Sequence, residues 1–207
     1  MITIPFSDIL AAGNFQKIRD CLLADGVIVY PTDTLYGLGG NFRSLSLLAK
    51  IDRLKDRCDQ PYSVAVGSLA MLESLVACIP QIFHQRLREL LPGKFTFLFT
   101  ASPAIDPRLL KGSSRIGIRL PGLPLLLQLI EKIGFPLVST SANRSGQPPL
   151  NDPAQIASEF PEIDLLIDGG VLSLSRGSTV VDLCALPLGL VRAGDDAEKF
   201  SDLMLRT

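Results

Sequence analysis

Val27-Ile28-Val29-Tyr30-Pro31-Thr32-Asp33-Thr34-Leu35-Tyr36-Gly37-Leu38-Gly39-Gly40 is the stretch from which the fold is best read. Its first four residues are β-branched or aromatic and continuously apolar, too short a run for a helix and suited to a central strand buried on both faces. Pro31 stops the strand. Segment 32–40, rich in hydroxyls and glycines, then reads as a loop at a strand end, where α/β sheets commonly place ligands. Upstream, Phe15, Ile18 and Leu22 recur at helical spacing, and Gly26 after Asp25 is the residue type that closes a helix, so a first helix ends near Ala24.

Downstream, helices and strands alternate. Ser44 is a candidate cap for a helix with Leu47, Leu48, Ile51 and Leu54 on one face, fraying around Lys55-Asp56-Arg57. Tyr62 to Val66 reads as a strand, and Ser68 as the cap of a helix carrying Leu72, Leu75, Val76 and Ile79. A further helix after Pro80 bears Phe83, Leu87, Leu90 and Leu91, followed by strands at Phe95–Thr100 and Ile116–Leu120. Leu123, Leu126, Leu127 and Ile130 trace a helix toward Gly134, and Asp152-Pro153 opens another. Last strands are expected at Leu165–Asp168, Ser178–Leu183 and Leu188–Arg192.

With 207 residues, 47% of them apolar, the chain is long enough for one well-buried domain, expected over 1–207 with its core at about 10–195. The expected class is α/β, or mixed α+β, built on a twisted, largely mixed sheet flanked by helices. Twenty Lys and Arg against twenty-one Asp and Glu leave no whole-molecule field toward nucleic acid or anionic lipid. Four scattered cysteines suggest neither a zinc knuckle nor a disulfide framework, and no signal-like or membrane-length apolar run interrupts the chain. A cytoplasmic protein is the expectation, with no membrane partner.

A second polar strand end is Leu137-Val138-Ser139-Thr140-Ser141-Ala142-Asn143-Arg144-Ser145-Gly146, a short apolar strand running into a row of hydroxyls and amides. Ser139, Thr140, Ser141 and Asn143 either form a turn or hydrogen-bond a ligand, and Thr32 and Thr34 pose the same choice. Lys55 and Arg57 are either solvated helix-end cations or a phosphate clamp. Arg119, at the end of an apolar strand before Pro121, needs an anionic partner, and Arg192 has the same character. His84, the single histidine, sits on an apolar helix without nearby ligating residues and reads as structural or surface. Neither a histidine triad, a poised carboxylate pair, a Walker loop nor a dinucleotide fingerprint can be assembled.

Taken in order, eight motifs resemble the Sua5/YrdC/TsaC family of L-threonylcarbamoyladenylate synthases. They are Tyr30–Gly39, Lys55-Asp56-Arg57, Leu91–Thr96, Ile118–Pro121, Ser141–Gly146, Asp168-Gly169-Gly170, Ser178–Asp182 and Val191–Gly194. Each alone is weak, whereas eight in one order are specific. The resemblance implies a YrdC/RibB-like fold and a nucleotidyltransferase that joins threonine, bicarbonate and ATP into threonylcarbamoyl-AMP and pyrophosphate for N6-threonylcarbamoyladenosine modification of tRNA. It implies catalytic roles for Lys55, Arg57, Ser141 and Asn143, and ATP contacts from these with Gln60 and Arg192. Thr34, Arg119, Ser139 and Ser178 are implied on the threonine side. Mg²⁺ is expected with ATP, without a nameable protein ligand, and a downstream threonylcarbamoyl transferase is the implied partner.

Two residues depart from the family pattern: Cys58 stands where Pro is common, and Ala65 where many members carry a histidine. The chain resembles the short TsaC-like form, without the C-terminal domain of longer Sua5 proteins. Two alternatives are a YciO-like paralogue of different or weak activity, against which the Ser141-Ala142-Asn143 motif speaks, and a double-stranded RNA- or tRNA-binding module.

Overall fold

The computed structural model describes residues 1–56, 61–184 and 188–205. Among them the chain forms, in order, β1 (Ile2–Pro5), α1 (Ala12–Leu23), β2 (Ile28–Pro31), β3 (Tyr36–Gly39), α2 (Leu45–Lys55), β4 (Val64–Ala65) and α3 (Leu69–Glu73). Then follow α4 (His84–Leu90), β5 (Phe95–Thr100), β6 (Arg115–Arg119), α5 (Pro124–Ile133), β7 (Leu137–Val138) and β8 (Thr140–Ser141). The chain closes with α6 (Pro153–Glu159), β9 (Leu165–Asp168), β10 (Thr179–Asp182), β11 (Gly189–Arg192) and α7 (Ala197–Leu205). The mixed α/β class holds, with the strands divided between two sheets, ordered β1-β9-β2-β3-β8 and β11-β10-β5-β6-β4-β7.

β2 is buried on both faces, as its apolar run requires. Ile28 and Tyr30 join a cluster with Ile18 and Leu22 of α1 and Leu126 and Ile130 of α5, while Val29 faces the larger cluster containing Phe97 and Ile118. The expected caps form: Ser44 Oγ accepts from Leu47 N, Ser68 Oγ from Met71 N and Asp152 Oδ1 from Ala154 N. Gly134 closes α5 in the left-handed conformation, at φ 84°.

Segment 32–40 is a loop only in its first part. Thr32 N and Oγ1 both donate to Leu35 O, making a turn, and the chain then returns as β3, antiparallel to β2 with Pro31 opposite Tyr36. The glycines that suggested a loop serve close approach instead. A Cβ on Gly37 would lie 3.1 Å from the Tyr30 ring, and one on Gly39 would lie 1.7 Å from Val138 O. The helix expected through Ile79 stops at Glu73. Beyond it Val76 bridges to Ala101 and Ala77 N donates to Thr100 O, so the apolar stripe is spent on sheet-edge pairing. The helix after Pro80 is split into a 3-10 turn (Gln81–Phe83) and α4, and the strand at 62–66 shortens to β4. β1 and α7, not expected from sequence, bury Ile4 and Phe200, the latter with its ring 6.5 Å from that of Phe83.

Segment 137–141 joins the sheets. Leu137 and Val138 pair with Ala65 and Val64 of β4, Ser139 N donates to Ser63 O, and Thr140 and Ser141 pair with Leu38 and Gly37 of β3. Val138 N also donates to Gly40 O. Replacing Gly39 by Ala forces this backbone contact apart, so Gly39→Ala is expected to lower stability by about 3 kcal/mol or more. Denaturant unfolding with an unchanged slope checks this; a midpoint equal to that of the parent chain contradicts it.

Candidate functional site: a cationic, hydroxyl-lined cleft at the sheet junction

The segment linking the sheets opens a cleft of about 290 Å³. It gathers six of the expected residues: Thr34, Arg119, Ser139, Ser141, Ser178 and Arg192. Each comes from a strand end or the turn beside one, which is why side chains distant in sequence converge. No Asp, Glu or His lines the cleft among the described residues, whereas three arginines do: Arg119, Arg176 and Arg192.

Arg119 ends β6 and is only 7% exposed. Its Nη2 donates to Asp33 Oδ1 at 2.7 Å and to Thr34 Oγ1 at 3.1 Å, and Asp33 Oδ2 in turn accepts from Gly122 N at 2.8 Å. The anionic partner that the sequence called for is thus Asp33, in the β2–β3 turn. Arg119 Nε is buried with no partner among the described residues. Across the cleft, Arg192 Nη2 donates to Ser178 O at 2.8 Å and Ser178 Oγ at 3.2 Å. Burial, and after it the charge of Arg119, pushes the Arg192 guanidinium below its ordinary pKa. Two cations that act on each other in a site with no carboxylate among its described lining residues favour a bound anion.

The hydroxyls have defined partners. Ser178 Oγ and Thr96 Oγ1 are 2.8 Å apart. Beneath Ser139, Tyr30 is fully buried and donates to Val138 O at 2.8 Å; desolvation raises its pKa from 10.0 to about 12. Tyr36 Oη accepts from Gly169 N and donates to Gly170 O, and burial likewise raises it to about 12.

Lys55 and Asn143 stand behind Ser141. Lys55, 2% exposed, donates from Nζ to Ser141 O and Asn143 O, each at 2.7 Å, and to Asn143 Oδ1 at 3.2 Å. Ser141 Oγ donates to the same Asn143 Oδ1 at 2.6 Å. The buried ammonium therefore holds the turn that presents Ser141. Arg57 and Gln60, with Cys58, lie outside the described residues. Ala65 is fully buried in the smaller apolar cluster and does not line the cleft. His84 Nε2 lies 3.1 Å from Ile79 O on the exposed side of α4, the structural place expected for it.

Sequence reasoning missed Thr96, Tyr62, Ser63 and Arg176. The first had a readable signal: in Phe95-Thr96-Phe97-Leu98-Phe99 the three phenylalanines share the core face, so Thr96 must turn the other way. Arg176 carried none, lying in a segment with no periodicity.

Residues 20–194 match the Sua5/YciO/YrdC family model, described as telomere recombination. The chain belongs to this family. A curated relative, "Threonylcarbamoyl-AMP synthase" of Bacillus subtilis, is 33% identical over 162 residues, covering 77% of this chain and 46% of that protein. The solved structure of Pyrococcus abyssi Sua5 complexed with L-threonine superposes with a TM-score of 0.83 at 29% identity, covering 92% of this chain and 58% of that one. Escherichia coli YciO superposes at 0.81 with 27% identity and 94% coverage of both chains. The chain thus spans about half the length of the two longer proteins and nearly all of the shorter one.

Among the described residues no group of three or more His, Cys, Asp or Glu side chains could hold a metal, and no helix is long and apolar enough to cross a membrane.

Asp33→Asn leaves the buried Arg119 charge uncompensated and is expected to cost about 3 kcal/mol in chemical denaturation; a loss below the error of the measurement contradicts the pairing. Raised tyrosine pKa values mean that the unfolded chain loses protons first. The tyrosine contribution is therefore intact below pH 10 and lost as pH rises from about 10 to 12, while that of Cys21, raised from 9.0 to about 11 by burial, is intact below pH 9 and lost from about 9 to 11. Tyr30→Phe should start about 1 kcal/mol less stable for its lost hydrogen bond, yet decline less steeply above pH 10. Thermal melts from pH 8 to 11.5 compare the slopes, and parallel curves contradict the assignment.

Proposed function

We propose that the cleft is the active site of an L-threonylcarbamoyladenylate synthase acting in the cytoplasm. The observation that carries this reading is a cleft with three arginines and a ring of hydroxyls but no carboxylate or histidine among its described lining residues. Such a site binds anions and positions them. Its described lining offers no carboxylate or histidine as general base, and the proposed reaction needs none, because one substrate supplies the attacking oxygen.

In this reading the threonine amine takes up bicarbonate or carbon dioxide to form a carbamate, with loss of water or a proton. A carbamate oxygen attacks the α-phosphorus of ATP, forming the new P–O bond as the bond to pyrophosphate breaks. Arg119, already oriented by Asp33, holds the amino acid carboxylate with Thr34 and Ser139. Arg192 faces the reacting phosphate, Ser178, bonded to it, stays on the threonine and carbamate side, and Ser141, fixed by Asn143 and Lys55, orients the nucleotide. Arg57 and Gln60 are proposed to complete the triphosphate contacts. Mg²⁺ arrives on phosphate oxygens as part of the substrate, and the product passes to a threonylcarbamoyl transferase acting on tRNA. The names of the relatives and the threonine in the Pyrococcus complex support the substrate assignment.

Likeness to YciO keeps a paralogue reading in play, and the same experiment separates the two. The protein is incubated with ATP and bicarbonate and, in turn, each amino acid. Pyrophosphate and an adenylate are expected with threonine alone. Arg192→Gln should reduce kcat/KM by about 100-fold, the scale seen when one charge-stabilising donor is removed. ATP binding without any threonine-dependent pyrophosphate overturns the synthase reading in favour of the paralogue. RNA binding that weakens steeply with salt and ignores ATP favours the RNA-binding module.

A further inference from the structure

We infer that Arg176 is, among the described residues, the cleft's free phosphate-binding cation, a residue that holds the terminal phosphates of the nucleotide; the nucleotide part rests on the synthase reading above. Its two neighbours in the cleft are committed. Arg119 is paired with Asp33 and Thr34, and Arg192 is bonded to Ser178 O and Oγ. The Arg176 guanidinium is exposed, lines the cleft and has no hydrogen-bond or ion-pair partner among the described residues.

The backbone beneath it is held from several sides. Arg176 N donates to Asp195 Oδ1 at 3.1 Å, and Ser175 Oγ donates to Asp195 Oδ2 at 2.7 Å while accepting from Gly177 N at 2.9 Å. Asp195 N donates to Gly177 O, and Thr179 Oγ1 donates to Asp195 O. Lys94 Nζ adds an ion pair to the same carboxylate at 3.5 Å. Gly177 adopts φ 79°, and a Cβ on it would lie 3.6 Å from Arg192 Nη2; one on Gly194 would lie 2.3 Å from Gly177 O. The positive φ at Gly177 and the backbone approach at Gly194 are what call for glycine, and they seat the segment in ordinary contact with the second cleft arginine.

A long, unpaired cation on a fixed mount costs little backbone reorganisation when it captures a ligand. Its planar fork suits phosphate oxygens, and no carboxylate among the described lining residues competes for it. Since Arg192 faces the reacting phosphate in the proposed mode, the exposed Arg176 serves the phosphates beyond it.

The test measures binding of ATP, AMP and inorganic triphosphate by calorimetry to the full chain, to Arg176→Gln and Arg176→Lys, and to Arg108→Gln. Arg108 is exposed, paired with Asp106 and outside the cleft, and its variant controls for net charge. Arg176→Gln is expected to weaken ATP and inorganic triphosphate about tenfold and to leave AMP within twofold. Arg176→Lys should recover part of the loss, and Arg108→Gln should bind as the parent does. Equal binding by the parent and Arg176→Gln overturns the inference while leaving nucleotide binding intact, as does an equal loss in Arg108→Gln or a loss of AMP as large as that of ATP. If the parent binds inorganic triphosphate but not ATP, the nucleotide reading fails, and dependence of that binding on Arg176 still upholds the phosphate site. If the parent binds neither, both fail.

Discussion

Gly39 and Val138 share a space that admits no side chain: a Cβ at position 39 would fall 1.7 Å from the Val138 carbonyl oxygen. This approach lets the segment 137–141 lie against β3 while Leu137 and Val138 pair with β4 on the other side. Two sheets of different strand order are thereby joined through one short segment, and at its centre is Ser139. Buried backbone groups must be paired, and here Ser139 N donates to Ser63 of one sheet while Val138 N donates to Gly40 of the other. The cleft exists because strand ends from both sheets meet where this segment crosses between them.

Charge is distributed in two layers around that crossing. The carboxylates of Asp33 and Asp195 lie outside the lining and the cations within it: Asp33 binds Arg119 Nη2, and Asp195 holds the segment that carries Arg176. Lys55 is reversed in function, its ammonium spent on the carbonyls of Ser141 and Asn143. A carboxylate in the lining would neutralise the site, whereas one behind it fixes a guanidinium's direction without occupying its ligand-facing side. The cleft's positive character therefore survives in a chain whose charges nearly cancel overall.

Much of this was legible in sequence where a residue's environment is dictated locally. The apolar run at β2, the caps at Ser44, Ser68 and Asp152, and Gly134 after α5 all report short-range physics, and all form. Arg119 was legible because a charge at the end of an apolar strand demands a partner, though not which one. The glycines of 37–40 misled because sequence cannot tell a glycine needed for flexibility from one needed for contact. The stripe through Ile79 failed because edge pairing of Val76 and Ala77 outweighs helix continuation beyond Ser74. Arg176 was invisible: what singles it out is the commitment of its neighbours to other partners, a fact that belongs to three dimensions alone.

The same layering limits the chemistry the cleft can perform. Tyr30 and Tyr36, two buried phenols at the crossing, are raised to about 12 and stay protonated at neutral pH, so neither serves as a base. His84 sits on the exposed side of α4 against Ile79 O, outside the lining. What remains is a set of fixed N–H and O–H donors directed at one volume. Such a set lowers a barrier by holding charged reactants together and dispersing the charge that moves between them, without taking a proton from either. It acts only on reactants that bring their own nucleophile and leaving group. The absence of a catalytic base in the described lining is thus a selection rule on substrates, and a carbamate meeting a nucleoside triphosphate satisfies it.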